Sequence, residues 1–188
     1  MPRIALLVSG MLMLPAVCPA QTPSKASPQA RAKTAAATPI HVDPMQVHAD
    51  LQQLMRGIFY PASNVFFAAQ TDNPAEVKPA KRASIATDPL QSTYGGWQAV
   101  ENAALAIVEG SNLLMVAGRK CGNGVDVPLK NPEWAKLVQE MRDAGLKAYK
   151  AAQSKNQDNV LDAADTLTTA CADCHGKWRE KNPADRCK

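Results

Sequence analysis

The chain has 188 residues, of which 46% are hydrophobic, 20% charged and only 5% aromatic, and its formal net charge is +4. The scarcity of β-branched and aromatic runs argues against a β-sandwich or barrel, and the many alanines favour closely packed helices. The charge excess is small and spread along the chain, so it does not form the basic stripe typical of nucleic-acid binding. Beyond the N-terminus no apolar stretch reaches the roughly 18 residues that a membrane span needs.

The first twenty residues, MPRIALLVSGMLMLPAVCPA, have the pattern of a secretory signal peptide. Arg3 supplies the positive start, and residues 4–17 form an apolar stretch too short to cross a bilayer. Cys18 and Ala20 supply the small residues that precede a cleavage site after Ala20. An N-terminal membrane anchor is the alternative interpretation. We therefore expect a periplasmic or secreted protein, in a compartment where disulfides persist.

Residues 21–43 are rich in Pro, Ala, Ser and Thr and have almost nothing large to bury, which predicts a disordered tether. The folded domain is then expected over 44–188. Its first helix is predicted over about 44–60, with Asp43-Pro44 at its start and Pro61 ending or kinking it. The apolar residues that share one face of this helix are Val47, Leu51, Leu54 and Ile58.

Three further helices follow a long connection over 71–94. The second helix is predicted over about 96–118, the third begins at Asn131-Pro132, and a turn at 155–158 leads into the fourth. The fourth helix carries a heptad-like seam of Val160, Ala163, Leu167, Cys171, Cys174 and Trp178. The short links between the later helices predict an all-α fold, an antiparallel up-down-up-down four-helix bundle.

The chemistry of the chain is concentrated in Cys171-Ala172-Asp173-Cys174-His175, which has the C-x-x-C-H spacing of c-type haem attachment. Cysteines three apart on a helix lie on one face, so both thiols can bond the two vinyl groups at one edge of a porphyrin. His175 can then turn its imidazole towards the iron. The motif predicts one covalently bound haem c held by Cys171, Cys174 and His175.

Three other interpretations of the cysteine pair carry less weight. A thioredoxin-like redox pair belongs at a helix N-terminus after a strand, whereas this pair lies deep inside a predicted helix. A structural zinc site needs four ligands, and the other histidines, His41 and His48, lie far upstream. A disulfide between Cys171 and Cys174 is disfavoured by their position on one helix.

The segment CADCHGKWR, residues 171–179, resembles the C-terminal haem segment of cytochrome c prime and its low-spin relatives, the class II c-type cytochromes. In that family the motif lies near the chain end and is followed by an aromatic and a basic residue, the places of Trp178 and Arg179 here. The resemblance implies a four-helix bundle around one haem. Over about 44–182 it rests on a matching order of helices, from which Pro61 and the long connection after it depart.

The resemblance also implies a role for Met55, because low-spin members of the family close the sixth position of the iron with a methionine from the first helix. A thioether opposite an imidazole favours ferrous iron, which suits electron transfer. The alternative is that Met55 is a core residue, and high-spin members leave that position open to small gases. His48 is a weaker ligand candidate, for which an exposed position is expected. Arg56 either pairs with a haem propionate or is solvated.

Haem attachment leaves two cysteines of the mature chain, Cys121 after the second helix and Cys187 after the fourth. In an up-down bundle these two helices run parallel, so both cysteines lie at the same end. We expect a Cys121–Cys187 disulfide, with two free thiols as the alternative.

Outside the haem motif the chain has no serine–histidine–acid set, phosphate-binding loop or supported pair of catalytic carboxylates, so we do not expect an enzyme. The prediction is an exported monohaem cytochrome that carries single electrons between redox partner proteins. A five-coordinate haem protein that binds nitric oxide or carbon monoxide is the alternative. A haem peroxidase is weaker, because His41 and His48 are poorly placed as a proton-shuttling base. The family resemblance also allows a homodimer through the first two helices.

Overall fold

The computed structural model describes residues 45–179 and residue 187. The predicted signal peptide and tether, and the predicted helix start at Asp43-Pro44, lie outside these residues. The described part is mostly helical and contains no strand, in agreement with the predicted all-α class. Its α-helices are α1 (Leu51–Leu54), α2 (Tyr60–Ala68), α3 (Trp97–Leu113), α4 (Pro132–Ser154) and α5 (Gln157–Trp178).

The first helix begins at Leu51, so the prediction of a start near residue 44 is wrong. Residues 45–50 are not helical. Asp50 forms a reciprocal cap with Gln53: its carboxylate accepts from the Gln53 amide at 2.7 Å, and the Gln53 side chain accepts from the Asp50 amide at 3.0 Å. This capping box satisfies two amides that would otherwise lack partners, which is why the helix begins here.

Pro61 does not end the first helix. A π-helical turn over Met55–Phe59 joins α1 to α2, and the helix continues through Pro61 to Ala68. We call residues 51–68 the N-terminal helical run. Phe59 is buried where the sequence predicted Ile58, which is only partly buried. The wide turn shifts the buried face by one position, which α-helical periodicity alone could not reveal.

The helix α3 ends at Leu113, five residues before the predicted end. Arg119, a buried residue that is 5% exposed, explains this early end. Its Nε donates to the Leu113 carbonyl at 3.0 Å, and another of its nitrogens donates to the Ala49 carbonyl. A buried cation thus caps the carbonyl end of α3, where the helix dipole favours positive charge. It also ties that end to the chain before α1.

The helices α4 and α5 follow in the predicted order, and α4 begins at the predicted place. The helix α5 begins at Gln157, inside the turn predicted over 155–158. Asn131 caps α4 and Pro132 occupies its first turn, where a missing amide hydrogen costs nothing. Lys155 adopts a left-handed conformation, with φ of 52°, and Asn156 caps α5. This short turn sends the chain back along α4, so that Lys147 of α4 pairs with Asp162 of α5 at 2.7 Å.

Packing between neighbouring helices depends on small residues. The α2 helix packs on α3, α3 packs on α4, and α4 packs on α5. At Gly145 of α4 a methyl group would lie 2.8 Å from Cγ2 of Val108. Because α3 comes this close, only glycine fits at position 145 without displacing a neighbour.

The predicted disulfide between Cys121 and Cys187 is confirmed. The two Cα atoms lie 4.8 Å apart, and both side chains are buried. The Cys187 amide also donates to the Trp178 carbonyl at 2.9 Å, so the bridge holds residue 187 against the end of α5.

Within residues 45–179, we find no helix that is both long enough and apolar enough to cross a membrane.

Replacing both bridging cysteines, in the variant C121A/C187A, should lower the free energy of unfolding by about 4 kcal/mol. The bridge closes a loop with a sequence separation of 66, and cutting it releases that loop in the unfolded chain. Denaturant titration of both proteins measures the difference, and reductant added to the wild type should reproduce it. Equal unfolding midpoints would contradict this account of the bridge.

Introducing a large side chain at the α3–α4 contact, in the variant Gly145→Leu, should destabilise the fold by about 1–3 kcal/mol through overpacking. The control is Gly176→Ala on α5, where a methyl group meets no atom within 4 Å. The control should gain up to about 1 kcal/mol from alanine's helix propensity. Thermal or denaturant unfolding of the pair tests the contact, and similar stabilities for both variants would rule it out.

Candidate functional site

A cavity of about 770 Å³ lies between the N-terminal helical run and α5. Ligand and cofactor cavities commonly have this size and a mostly apolar lining. The helices α3 and α4 close the cavity with apolar and aromatic side chains. These include Ile107, Trp134, Leu137, Val138 and Met141, together with Leu114 directly after α3.

The helix α5 brings all three residues of the predicted haem motif to this cavity. Cys171, Cys174 and His175 are each partly buried and each line it. Their spacing of three and four residues on an α-helix of 3.6 residues per turn keeps them on one side of α5. The Arg179 amide donates to the His175 carbonyl at 2.9 Å, so helical hydrogen bonding continues past the motif.

Met55 lines the same cavity from the N-terminal helical run. It is the first residue of the π-helical turn and is partly buried, packed against the core. The fold therefore places a thioether on one wall and an imidazole on the other. The four predicted site residues therefore line one cavity, although Met55 and the motif come from opposite ends of the described chain.

A second methionine, Met141 of α4, also lines the cavity. Met45 is 71% exposed and Met115 is partly buried, and neither belongs to the lining. In the sequence, Met141 belongs to the apolar stripe of α4. Nothing in that stripe distinguishes a cavity wall from an ordinary core position.

The two thiols of the motif are free and sit in a weakly solvating environment. Burial raises the pKa of Cys171, and burial together with the neighbouring charge of Cys171 raises the pKa of Cys174 to about 11. Reactive redox cysteines have a lowered pKa, usually at a helix N-terminus. This pair lies near the C-terminal end of α5 and has the opposite shift, so its environment does not match a thioredoxin-like site.

A structural zinc site also finds no support. Among residues 45–179 and 187, no group of three or more His, Cys, Asp or Glu side chains is placed to hold a metal ion. His48 is exposed and absent from the cavity lining, and His41 lies outside the described residues.

The mouth of the cavity is polar and carries positive charge. Arg56 from the π-helical turn and Arg179 after α5 are exposed and belong to the lining. Gln52, Tyr60 and Asn64 complete this edge, and the lining described by the structure includes no carboxylate. A guanidinium at the edge of an apolar cavity is suited to bind a carboxylate group of an occupant.

Two tryptophans form the wall beside the motif. The rings of Trp134 and Trp178 pack edge to face, with centroids 5.6 Å apart. The Trp134 indole donates to the Leu114 carbonyl at 3.3 Å, whereas the buried Trp178 indole nitrogen has no partner among the described residues. The contact between Trp134 and Trp178 emerges only from the packing of α4 on α5.

Alkylation should distinguish the folded site from the unfolded chain when both thiols are free. Since the raised pKa keeps both sulfurs protonated at about pH 8, iodoacetamide should modify them more slowly in the folded protein than in denaturant. The rate at Cys174 should rise with pH towards a half-maximal value near pH 11. Peptide mapping by mass spectrometry measures each site, and equal rates in folded and denatured protein would contradict this description of the thiols.

Comparison of the chain with known protein families, with curated proteins and with solved structures finds no match.

Proposed function

We propose that this protein is an exported monohaem c-type cytochrome that carries single electrons, with one haem c attached covalently at the cavity. The observation that carries the proposal is the convergence of Cys171, Cys174, His175 and Met55 on one largely apolar cavity. In this proposal the two cysteines form thioethers, His175 is the proximal ligand and Met55 the distal ligand. The protein is not proposed to be an enzyme.

The residues present fit such a group in several respects. The cavity has the volume of a cofactor site, its walls are apolar, and two thiols and an imidazole line it with the attachment spacing. Arg56 and Arg179 at the mouth suit the two carboxylates that a haem carries. The raised thiol pKa values indicate the same low-polarity surroundings that a porphyrin ring requires.

The chain's own residues then determine how the group behaves. The bound iron supplies reversible one-electron chemistry between its ferric and ferrous states. An imidazole on one side and a thioether on the other favour the ferrous state and raise the reduction potential. The apolar walls from α3 and α4 exclude water, which further disfavours the additional charge of the ferric state.

The proposed architecture is an antiparallel up-down-up-down bundle, with the cavity between its first and last members. The packing order from α2 to α5 and the tight turn between α4 and α5 support this arrangement. In such bundles cofactor sites are built in the core from side chains on facing helices. The cavity of this protein is likewise lined by side chains from several helices.

We also propose export to the periplasm or the exterior, directed by residues 1–20, and electron exchange with redox partner proteins. The signal-like sequence and the disulfide support this location, because disulfides persist in oxidising compartments.

Expression of the full chain in a host that matures c-type cytochromes tests the proposal directly. The purified protein should begin at Gln21, absorb as a haem protein, and exceed the polypeptide mass by one haem that denaturation does not remove. A colourless product without added mass would overturn the proposed function. The variants Cys171→Ser and Cys174→Ser should each lose one of the two thioether links.

The axial ligand is tested by Met55→Ala, with Met141→Ala as the matched control from the same cavity. The wild type should be low-spin, with slow or no carbon monoxide binding to the reduced protein. Met55→Ala should become high-spin and bind carbon monoxide readily, while the control should keep the wild-type spectrum. A wild type that is already five-coordinate and binds carbon monoxide rapidly would favour the gas-binding alternative, and a spectral change only in Met141→Ala would reassign the ligand.

A further inference from the structure

The N-terminal helical run has an irregular turn at the place where Met55 meets the cavity. Over Met55–Phe59 the backbone is π-helical, and the Tyr60 amide donates to the Met55 carbonyl, five residues back. Two residues explain why the turn widens here. Pro61 has no amide hydrogen and its ring conflicts with the carbonyl four residues back, which belongs to Gly57, a weak helix former. The sequence thus disfavours the regular α-helical bond between positions 61 and 57.

The wide turn changes which side chains face the cavity. Positions that line it recur every four residues along the whole run, at Leu51, Met55, Phe59, Ser63 and Phe67. In a regular α-helix each step of four residues advances roughly 40° past a full turn, so four steps would carry the line roughly 160° around the helix. A π-helical turn contains one more residue than an α-helical turn. One such turn therefore cancels much of this rotation and keeps the lining residues on one side of the run.

Core packing shows the same shift independently. The buried residues of the run step from Leu54 to Phe59, a gap of five, between otherwise helical gaps of three and four. In an uninterrupted α-helix, positions five apart lie roughly 140° apart, on different faces. Both halves of the run can therefore pack inward together only if the turn at Met55–Phe59 is wide.

We propose that Pro61 is a positioning residue for Met55: by maintaining the π-helical turn, it sets the rotation of the helix that aims Met55 at the cavity. Pro61 acts six residues away through the backbone, and it is absent from the lining of this cavity. The inference rests on the proposed function in one respect, namely that the thioether of Met55 is the sixth ligand.

The test replaces Pro61 with alanine, alone and together with Gly57→Ala. An alanine at 61 restores the amide that can bond to carbonyl 57, and a methyl group at 57 meets no atom within 4 Å, so both variants should fold. The control is Pro132→Ala, because Pro132 lies in the first turn of α4, where no bond is interrupted. All proteins are expressed as full chains in the host that attaches haem.

Two readouts follow each variant. Nuclear magnetic resonance or a crystal structure reports whether the Tyr60 amide still bonds to the Met55 carbonyl, and whether the Met55 side chain still lines the cavity. The absorption spectrum and carbon monoxide binding to the reduced protein report the sixth ligand. We expect Pro61→Ala to lose the wide turn and to turn Met55 away from the cavity. The reduced protein should then bind carbon monoxide at least about tenfold faster, because the fraction of molecules with an open site grows. The double variant should show a larger effect, and Pro132→Ala none.

The outcomes separate this inference from the proposed function. If the wild type carries no haem, the proposed function fails. The orientation of Met55 towards or away from the cavity in the Pro61 variants then decides by itself whether Pro61 positions that residue. If Met55→Ala alters the spectrum while both Pro61 variants retain the wide turn and the wild-type ligand, the positioning role of Pro61 is overturned and Met55 stays the ligand.

Discussion

A helix of 3.6 residues per turn keeps Cys171, Cys174 and His175 on one side of α5, and the rest of the site is arranged around that side. In the proposed site, the two sulfurs and the imidazole on α5 need a second wall opposite them to enclose the haem. The N-terminal helical run provides that wall, and α3 and α4 close the space between. The cavity forms where these helical segments meet. The motif residues lie on α5, and Met55 lies on the N-terminal helical run.

A three-residue segment holds both walls of the cavity at one end. Arg119 donates to the Ala49 carbonyl, and the Leu51 amide donates to the Lys120 carbonyl at 2.8 Å, so the start of the N-terminal helical run is attached here. The next residue, Cys121, is bridged to Cys187, which in turn bonds to the Trp178 carbonyl at the end of α5. A covalent bond and a buried cation thus limit how far the two walls can separate, which suits a site that needs a fixed distance between its two sides.

Local sequence was sufficient wherever a local interaction decides the structure. Asn131-Pro132 marks the start of α4, and the polar turn after Ser154 separates α4 from α5, because capping and turn formation involve neighbouring residues. The same approach failed at the first helix. Asp43-Pro44 offered one acceptable start, but Asp50 and Gln53 satisfy each other's backbone amides. The sequence offers two possible helix starts, and local pattern alone does not choose between them. Long-range contacts, such as the hydrogen bond from the Leu51 amide to the Lys120 carbonyl, accompany the start at Leu51.

The sequence by itself determined the haem-type motif, its helical spacing and the order of the later helices, because each follows from short-range spacing. It also predicted the pairing of Cys121 with Cys187 from the direction of the helices that precede them, and the structure then chose this pairing over two free thiols. Only the tertiary structure decided that Trp134 and Met141 line the same cavity as the motif. Pro61 and Gly57 favour the wide turn locally, but the burial of Phe59 instead of Ile58 also depends on the core against which the helical run packs. Those features depend on which faces meet when distant segments pack together. A helical period describes one helix at a time, so it cannot fix the rotation of two helices relative to each other.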